Sequence, residues 1–587
     1  KHTLAHVTHE AVEKIGGIGT VLEGLITSPV YQEHVKRSIL VGPCSAHLEV
    51  DPAKRLGPHG TVLYSGVDGI DELGLASKLN PIEWAFNVKI IYGKRTYEIP
   101  GDVRTGEADV LLIDVFNTNP DRLGVFKGRL WQTFGIDSMR HQHKWDYEEY
   151  VRLAEPAFYA LVALLNEDEL PCILFSHEFM GLATAFKAIL DGQHSFRTLF
   201  HAHECATARH IVERHEGHDT MFYNVLHEAQ KQKLYVEDVF GDLDEHFRHM
   251  LISQAHACDG IIAVGDDTAR EMHFLGDHFD HHHINLVYNG VPAVKVDAAA
   301  KKRARKMLLD YSEKLLGHRP DVLMSHVMRP VISKALWRDL QVCHSLDQTF
   351  AKDGRTAVLY ILTSAGGTRG PRDIRAMEDE YDWPRQHRAG YPDLVGPEVD
   401  YNRMAEQFNA AHANVQIVLV NQFGWSRETI GNRLPEEMHI GDFRIAADVE
   451  FGMACYEPFG ISPLEPLCGG AICVISNVCG CAGFVNDVTN HKPPANVIIA
   501  DYTQLKRPYG MSELLAMGPA QRGAVEQEVS AEVARKLLKA LPKTDTQRTK
   551  LVNVGQKLAL DMGWDRVVSD KLLPMLNRLV ESDRAGG

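Results

Sequence analysis

Short runs rich in Val, Ile and Leu recur through the first half of the chain: "TLAHVTH" (3–9), "RSILVGP" (37–43), "VKIIYG" (88–93), "DVLLIDVF" (109–116), "PCILFSH" (171–177), "RTLFHAH" (197–203), "GIIAVG" (260–265) and "INLVYNG" (284–290). A strand covered on both faces has no reason to alternate polar with apolar residues, so it reads as an unbroken apolar run. Between several runs lie amphipathic stretches of helical length, such as "YVRLAEPAFYALVALLNE" (150–167), which suit crossovers over a parallel sheet. The alternation predicts a doubly wound α/β domain. It breaks at "VPAVKVDAAAKKRARKMLLDYSEKLLGHRPD" (291–321) and resumes with "DVLMSHVM" (321–328), "TAVLYILTS" (356–364), "VQIVLVNQ" (415–422), "DVEFGMAC" (448–455), "ICVISN" (472–477) and "NVIIADY" (496–502).

At 587 residues the chain exceeds what one core serves. The reading is an N-terminal Rossmann-like domain over 1–300, a second over 301–550, and a C-terminal helix over 551–587 packing back on the first. Two such domains facing a central cleft would bind ligands beyond the carboxyl ends of their strands. The polar stretch 364–412 reads as an insertion, long for a connection.

Function classes narrow by charge and hydropathy. A net charge of −16 disfavours nucleic acid or an anionic membrane as main partner. No apolar run approaches the roughly 20 residues that span a bilayer, and no basic segment leads into an apolar one at the start, so the expectation is a cytoplasmic protein. The ten cysteines are scattered without paired CxxC units and read as buried, reduced thiols. The "DHFDHHHIN" run (277–285) reads as solvated histidines, and no metal or cofactor is expected.

Chemistry concentrates after the apolar runs. "YEPFGISPLEPLCGG" (456–470) follows "DVEFGMAC" and places Glu457 on the loop beyond a strand, with "SPLEPLCGG" as the first turns of a helix. Backbone N–H groups around Phe459, Gly460 and Ile461 could hold a diphosphate there, while Glu457 and Glu465 accept hydrogen bonds from sugar hydroxyls. Two glutamates eight apart are in themselves unremarkable solvated residues; the Pro, aromatic and Gly between them after a buried strand favour the nucleotide-sugar clamp. "MRPVISKALWRDL" (328–340) likewise follows a strand and sets Arg329 five residues before Lys334, a guanidinium and an ammonium suited to a leaving diphosphate. In the first domain "VEKIGGIGTV" (12–21) reads as a glycine turn entering a helix. Gly16 and Gly17 there permit positive φ and close ligand approach, and Lys14 lies in reach of donor or acceptor. "FHAHECATAR" (200–209) puts His203 at a strand end with Arg209 six residues on, and "LFSHEFMGL" (174–182) puts His177, an acceptor-side candidate, at another.

With those segments on view, the chain resembles the retaining, GT-B-fold glycogen synthases, most closely the eukaryotic type (glycosyltransferase family 3). "HVTHEAVEKIGGIGTV" is similar to that family's opening glycine loop, "SILVGP" to its second strand, and "FSHEFMG" to its His-Glu-aromatic segment. "FHAHECATAR" keeps its His and Arg six apart, "FYNVLHEA" through "VYNGVPAVK" resembles its middle region, and "ACYEPFGISPLEPLCGGAICVISNVCG" its glutamate loop. The resemblance runs patchily from about residue 3 to 485. It implies Glu457 beside the donor sugar, Glu465 at the nucleotide ribose, Arg329 and Lys334 on the diphosphate, and His203 and Arg209 lining the catalytic cleft, with no metal. The implied activity is glucose transfer from a nucleotide sugar, UDP-glucose favoured over ADP-glucose, to the non-reducing end of an α-1,4-glucan. Retention without an evident enzyme nucleophile implies front-face transfer, with domain closure excluding water. Arg329 and Lys334 stand one residue closer than in the eukaryotic members, a spacing nearer the bacterial ADP-glucose enzymes, and no arginine-rich helix of the kind that senses glucose 6-phosphate is seen. Another acceptor, a small sugar or a lipid, and an inactive carbohydrate-binding scaffold stay as alternatives, and a homo-oligomer is compatible with the sequence.

Overall fold

The structure, a computed structural model, describes residues 1–14, 16–99, 103–192 and 195–581. The chain forms two compact units, one comprising Lys1–Ala208, Ala229–Gly290 and Trp564–Gly587, the other Arg209–Glu228 and Val291–Gly563.

The first unit is built on a ten-stranded sheet of β1 (His2–Val7), β2 (Val35–Cys44), β3 (Gly60–Ser65), β4 (Ile70–Asp71), β5 (Lys89–Glu98), β6 (Thr105–Asp114), β7 (Cys172–His177), β8 (Phe196–Ala202), β9 (Gly260–Ala263) and β10 (Ile284–Leu286), in the order β10-β9-β8-β7-β1-β2-β6-β5-β3-β4. Every apolar run of the first half is a strand here. The run 88–93, expected in a parallel sheet, instead lies in β5, antiparallel to both β6 and β3. β3 and β4 escape the apolar-run criterion because they form a half-exposed edge, where one face meets water and the sequence turns mixed. β1 is the point where strand order reverses, Val7 lying opposite Val41 of β2 on one side and Ser176 of β7 on the other.

The second unit carries a six-stranded, wholly parallel sheet of β11 (Val322–Val327), β12 (Ala357–Leu362), β13 (Val415–Val420), β14 (Val449–Gly452), β15 (Ile472–Ser476) and β16 (Val497–Ala500), in the order β13-β12-β11-β14-β15-β16. Successive residues of its strands point into separate cores. Met324 and Leu359 join Phe451, Val474 and Phe350 on one face, whereas Leu323 and Val358 join Tyr311, Trp383 and Trp425 on the other. Both faces being buried is why no polar residue interrupts the runs. The order reverses between β11 and β14, the crevice where open α/β sheets hold their ligands.

The unit boundaries differ from the sequence reading. The helix Ala298–Leu316 belongs wholly to the second unit, where the buried Lys301 donates to the carbonyls of Ile445 (2.8 Å) and Ala447 (2.7 Å), so the first boundary falls at Gly290 and not at 300. Residues 209–228 also sit in the second unit, with Asn224 Nδ2 donating to Thr503 O and Thr220 Oγ1 to Tyr502 O, both at 2.8 Å. After the second stretch of that unit, Val291–Gly563, the chain returns to the first unit at Trp564, whose indole fills the space over Gly24 and Gly290. Within 364–412 the structure has helices at Pro371–Tyr381 and Glu398–Ala411, held by a fully buried Arg369–Glu398 pair at 2.7 Å. All ten cysteines are free, nine of them buried. Among the described residues no helix is long and apolar enough to cross a membrane.

Candidate active site

In the second unit the loops after β11 and β14 flank the reversal of strand order and are stitched together. The Cys455 N–H donates to Ser333 O at 2.8 Å, bringing Ile332–Lys334 against the segment that leads to Glu457. Lys334 and Glu457 form a short ion pair, each side chain less than one-fifth exposed. Arg209 enters from the helix Ala206–Arg214, its guanidinium 4.9 Å from the centre of the Tyr456 ring and within 3.5 Å of Ser333 Oγ. Arg329 is exposed on the loop after β11. Burial alone would raise the Glu457 carboxyl, but the charges of Lys334, Arg209 and Arg329 outweigh it and hold the group below the usual carboxylate range. Three cations against two carboxylates, Glu457 and the Glu213 that pairs with Arg209 at 3.3 Å, leave an excess of positive charge, the local complement an anion needs in a chain of net charge −16.

Beyond Glu457 the chain turns through Gly460 at φ +88°, where a side chain would also press on Glu457 Cγ at 2.9 Å. Phe459 is buried, its carbonyl accepting from the Cys481 N–H at 2.8 Å, and the Gly480 N–H donates to Glu457 O at 3.1 Å. Gly460 and Ile461 spend no N–H on another backbone group among the described residues. The expected α-helix after this loop is a 3₁₀-helix, Ser462–Gly469. Pro463 and Pro466 lack the N–H groups that an α-ladder requires, and the segment ends at Gly470 with φ +75°. Glu465, the fourth residue of this helix, pairs with Arg444 at 3.1 Å. Arg444 also holds the buried Glu450 at 2.9 Å, and Glu450 accepts from Ser325 Oγ and, at 3.1 Å, from the Val327 N–H at the end of β11.

Two residues that sequence reasoning passed over shape this site. Arg444 orients Glu465, and Arg338, wholly buried on the helix Leu336–Asp353, binds Asp219 through both terminal nitrogens (3.0 and 2.6 Å) and Glu526 at 3.0 Å. Arg338 also donates to the carbonyls of Met453 (3.2 Å) and Ala454 (3.3 Å), which fixes the start of the glutamate loop. Its signal lay one turn after Lys334 in the same quoted segment, an arginine on a helix otherwise facing the core. Arg338→Ala strands the buried Asp219 and leaves Glu526 to Arg522 (3.3 Å) and the Trp337 N–H (2.9 Å), and we expect a loss of about 3–5 kcal/mol, read as a lower chemical-unfolding midpoint; a change under about 1 kcal/mol would contradict the pairing.

In the first unit the glycine turn differs from expectation. Gly16 caps the helix Gly17–Ile26 at φ −141°, and Gly17 is the first residue of that helix; neither uses positive φ. What the turn needs is space: the Gly16 and Gly19 N–H groups donate to Glu10 Oε2 at 2.9 and 2.8 Å, and a side chain at Gly19 would meet that oxygen at 2.6 Å. Lys14 is tied to Glu23 at 2.5 Å. His177, at the end of β7, donates to or accepts from His6 (2.9 Å) and His203 (2.8 Å), and the His201 ring lies tilted by 32° against that of His203 with ring centres 3.8 Å apart. Of the 277–285 run, His278, His281 and His283 are exposed. The structure thus brings Arg209, Arg329, Lys334, Glu457, Phe459, Gly460, Ile461 and Glu465 together in the second unit, and Lys14, Gly16, Gly17, His177 and His203 lie in the first.

The four linked histidines carry a pH signature. Burial drives His6 and His203 down to about 3, and burial together with neighbouring imidazoles puts His177 and His201 well below the ordinary value. With folded values below the unfolded one, the unfolded chain takes up protons that the native state refuses. Stability is full above pH ~6.5 and falls on acidification by about 1 kcal/mol per pH unit per histidine. Unfolding midpoints should drop steeply from pH 7 to pH 5; a flat profile would contradict a neutral cluster.

No protein-family model matches the chain, and no curated protein matches it in sequence. Solved structures do. The catalytic domain of starch synthase IV from Arabidopsis thaliana, bound to ADP and acarbose, superposes with TM-score 0.52 at 14% identity over 99% of each chain. An α,α-trehalose-phosphate synthase (UDP-forming) from Burkholderia xenovorans, in complex with glucose-6-phosphate, gives TM-score 0.50 at 10% identity over 99% of this chain and 100% of that one. The chain therefore has the GT-B fold.

Proposed function

We propose that the protein is a retaining glycosyltransferase that transfers glucose from a nucleotide sugar, UDP-glucose before ADP-glucose, to the non-reducing end of an α-1,4-glucan. The observation that carries this reading is the convergence of Arg209, Arg329 and Lys334 on Glu457 where the strand order of the second sheet reverses. A departing diphosphate gains negative charge as the glycosidic bond breaks, and cations already in place stabilise that change without reorganisation. The N–H groups of Gly460 and Ile461 add donors beside them. Glu457 faces the sugar, where positive charge grows, and Glu465, held by Arg444, takes the ribose hydroxyls. His203 and Arg209 complete the catalytic set, with Gly16, Gly17 and Lys14 on the donor side and His177 on the acceptor side.

Because fixed cations do the work a divalent ion does elsewhere, turnover should not fall in EDTA. A requirement for Mn²⁺ or Mg²⁺, met by adding it back, would contradict this.

A small phosphorylated sugar as acceptor is the second reading, favoured by the fold likeness to a trehalose-phosphate synthase solved with glucose-6-phosphate. Supplying UDP-glucose with glycogen or with glucose 6-phosphate separates them. Elongated glucan with α-1,4 linkages supports the first reading, and a phosphorylated disaccharide supports the second.

A further inference from the structure

We propose that His177, His201 and His203 form a binding site for one divalent transition-metal ion, with Zn²⁺ the species the three-imidazole set suits. The strands place these rings together. His177 of β7 is the register partner of His201 of β8, and His203 follows His201 by two residues, so all three project from the same face at the carboxyl ends of adjacent strands. One ligand nitrogen from each lies within 4.8 Å of the others. A tetrahedral ion with Zn–N bonds of ~2.0–2.1 Å needs about 3.4 Å between ligand nitrogens, which small ring rotations reach.

His201 points to a ligand independently. It is 3% exposed, and neither of its ring nitrogens has a hydrogen-bond partner among the described residues. A buried imidazole left so costs about 1–3 kcal/mol, which coordination through one nitrogen would offset. The surroundings also supply what metal-bound histidines need behind them. With His177 ligating through Nδ1, its Nε2–H donates to His6 Nδ1 (2.9 Å), His6 Nε2–H then faces the Tyr31 hydroxyl (3.2 Å), and that hydroxyl bonds Ser38 Oγ at 2.8 Å. The proton now shared between His177 and His203 moves to the far nitrogen of whichever ring carries it, so each imidazole keeps one proton and none is released by these rings. Burial keeps the rings neutral and their lone pairs available at pH 7. Three neutral ligands leave the fourth position to water.

The consequence for activity rests on the glycosyltransferase reading, in which His203 acts on the reacting sugar. An ion that takes His203 Nε2 removes it from that task, so the metal inhibits and a chelator restores.

The test uses the full chain, stripped with chelator and titrated with Co²⁺ by visible absorption and calorimetry. We expect one equivalent bound with the intense bands of tetrahedral nitrogen coordination, displaced by Zn²⁺. His201→Phe, which keeps a ring without its nitrogens, should weaken binding by at least ~100-fold, beyond the ~10–100-fold that outer-shell partners are worth. No Co²⁺ binding by the wild-type protein, only weak octahedral bands, or unchanged affinity in a folded His201→Phe would overturn the site; the wild-type titration decides even if the variant fails to fold. Stoichiometric Zn²⁺ should lower nucleotide release and EDTA should restore it. Tight binding with turnover unaffected would uphold the site and remove His203 from the transfer chemistry.

Discussion

Lys334→Ala and Arg329→Ala are each expected to lower turnover by about a hundredfold or more while the protein stays folded. Both side chains sit on the loop after β11, and neither is buried in a core: Arg329 is exposed, and Lys334 is engaged with Glu457 alone at the loop surface. Losing Lys334 leaves Glu457 with Arg209 and Arg329, so no carboxylate is stranded and stability should hold. The loss falls on the step where charge passes to the departing diphosphate, because an interaction that strengthens only there moves kcat more than donor binding. An ammonium removed from such a position is worth roughly 3–4 kcal/mol of barrier, which is the expected factor. Near-normal turnover in both variants, with unfolding curves unchanged, would remove the diphosphate assignment.

The two glutamates should fail differently. Glu457→Gln keeps volume and hydrogen bonding but deletes the charge that three cations hold ionised, so it should lower kcat by about a hundredfold with nucleotide affinity roughly unchanged. Glu465 contacts a part of the donor that changes little as the bond breaks. Glu465→Ala should therefore chiefly raise donor KM, and Arg444, still paired with Glu450, keeps the loop in place. Steady-state kinetics with calorimetric nucleotide titration separates the cases. A normally active Glu457→Gln, or a pure KM effect in both variants, would contradict the division of roles.

The strands of both sheets were legible because double-sided burial leaves long apolar runs, and all fourteen quoted runs coincide with strands of the structure. The edge pair β3 and β4 was not, since a strand with one face in water carries no such run. Glu457 could be placed after β14 from its neighbours alone. Its ion pair with Lys334 could not, because 123 residues separate them and only the adjacency of β11 and β14 brings the two loops together. Arg209 was read with the first domain because it follows β8 directly, whereas its packing against Tyr456 and Ser333 puts it in the second unit. The glycine turn misled in a different way. Gly16 and Gly19 make room for the Glu10 carboxylate, a close approach that a sequence with two glycines cannot distinguish from a left-handed turn.

The central claim is that the cationic cluster around Glu457 serves a nucleotide-sugar donor, and nucleotide release measures it most directly. With purified protein, UDP-glucose should release UDP rapidly when glycogen is present and only slowly without it, ADP-glucose should be the poorer donor, and Lys334→Ala should lower the acceptor-dependent rate by about a hundredfold or more. Release from neither donor, with or without glycogen or glucose 6-phosphate, by a protein that binds UDP no better than Lys334→Ala does, would contradict the account.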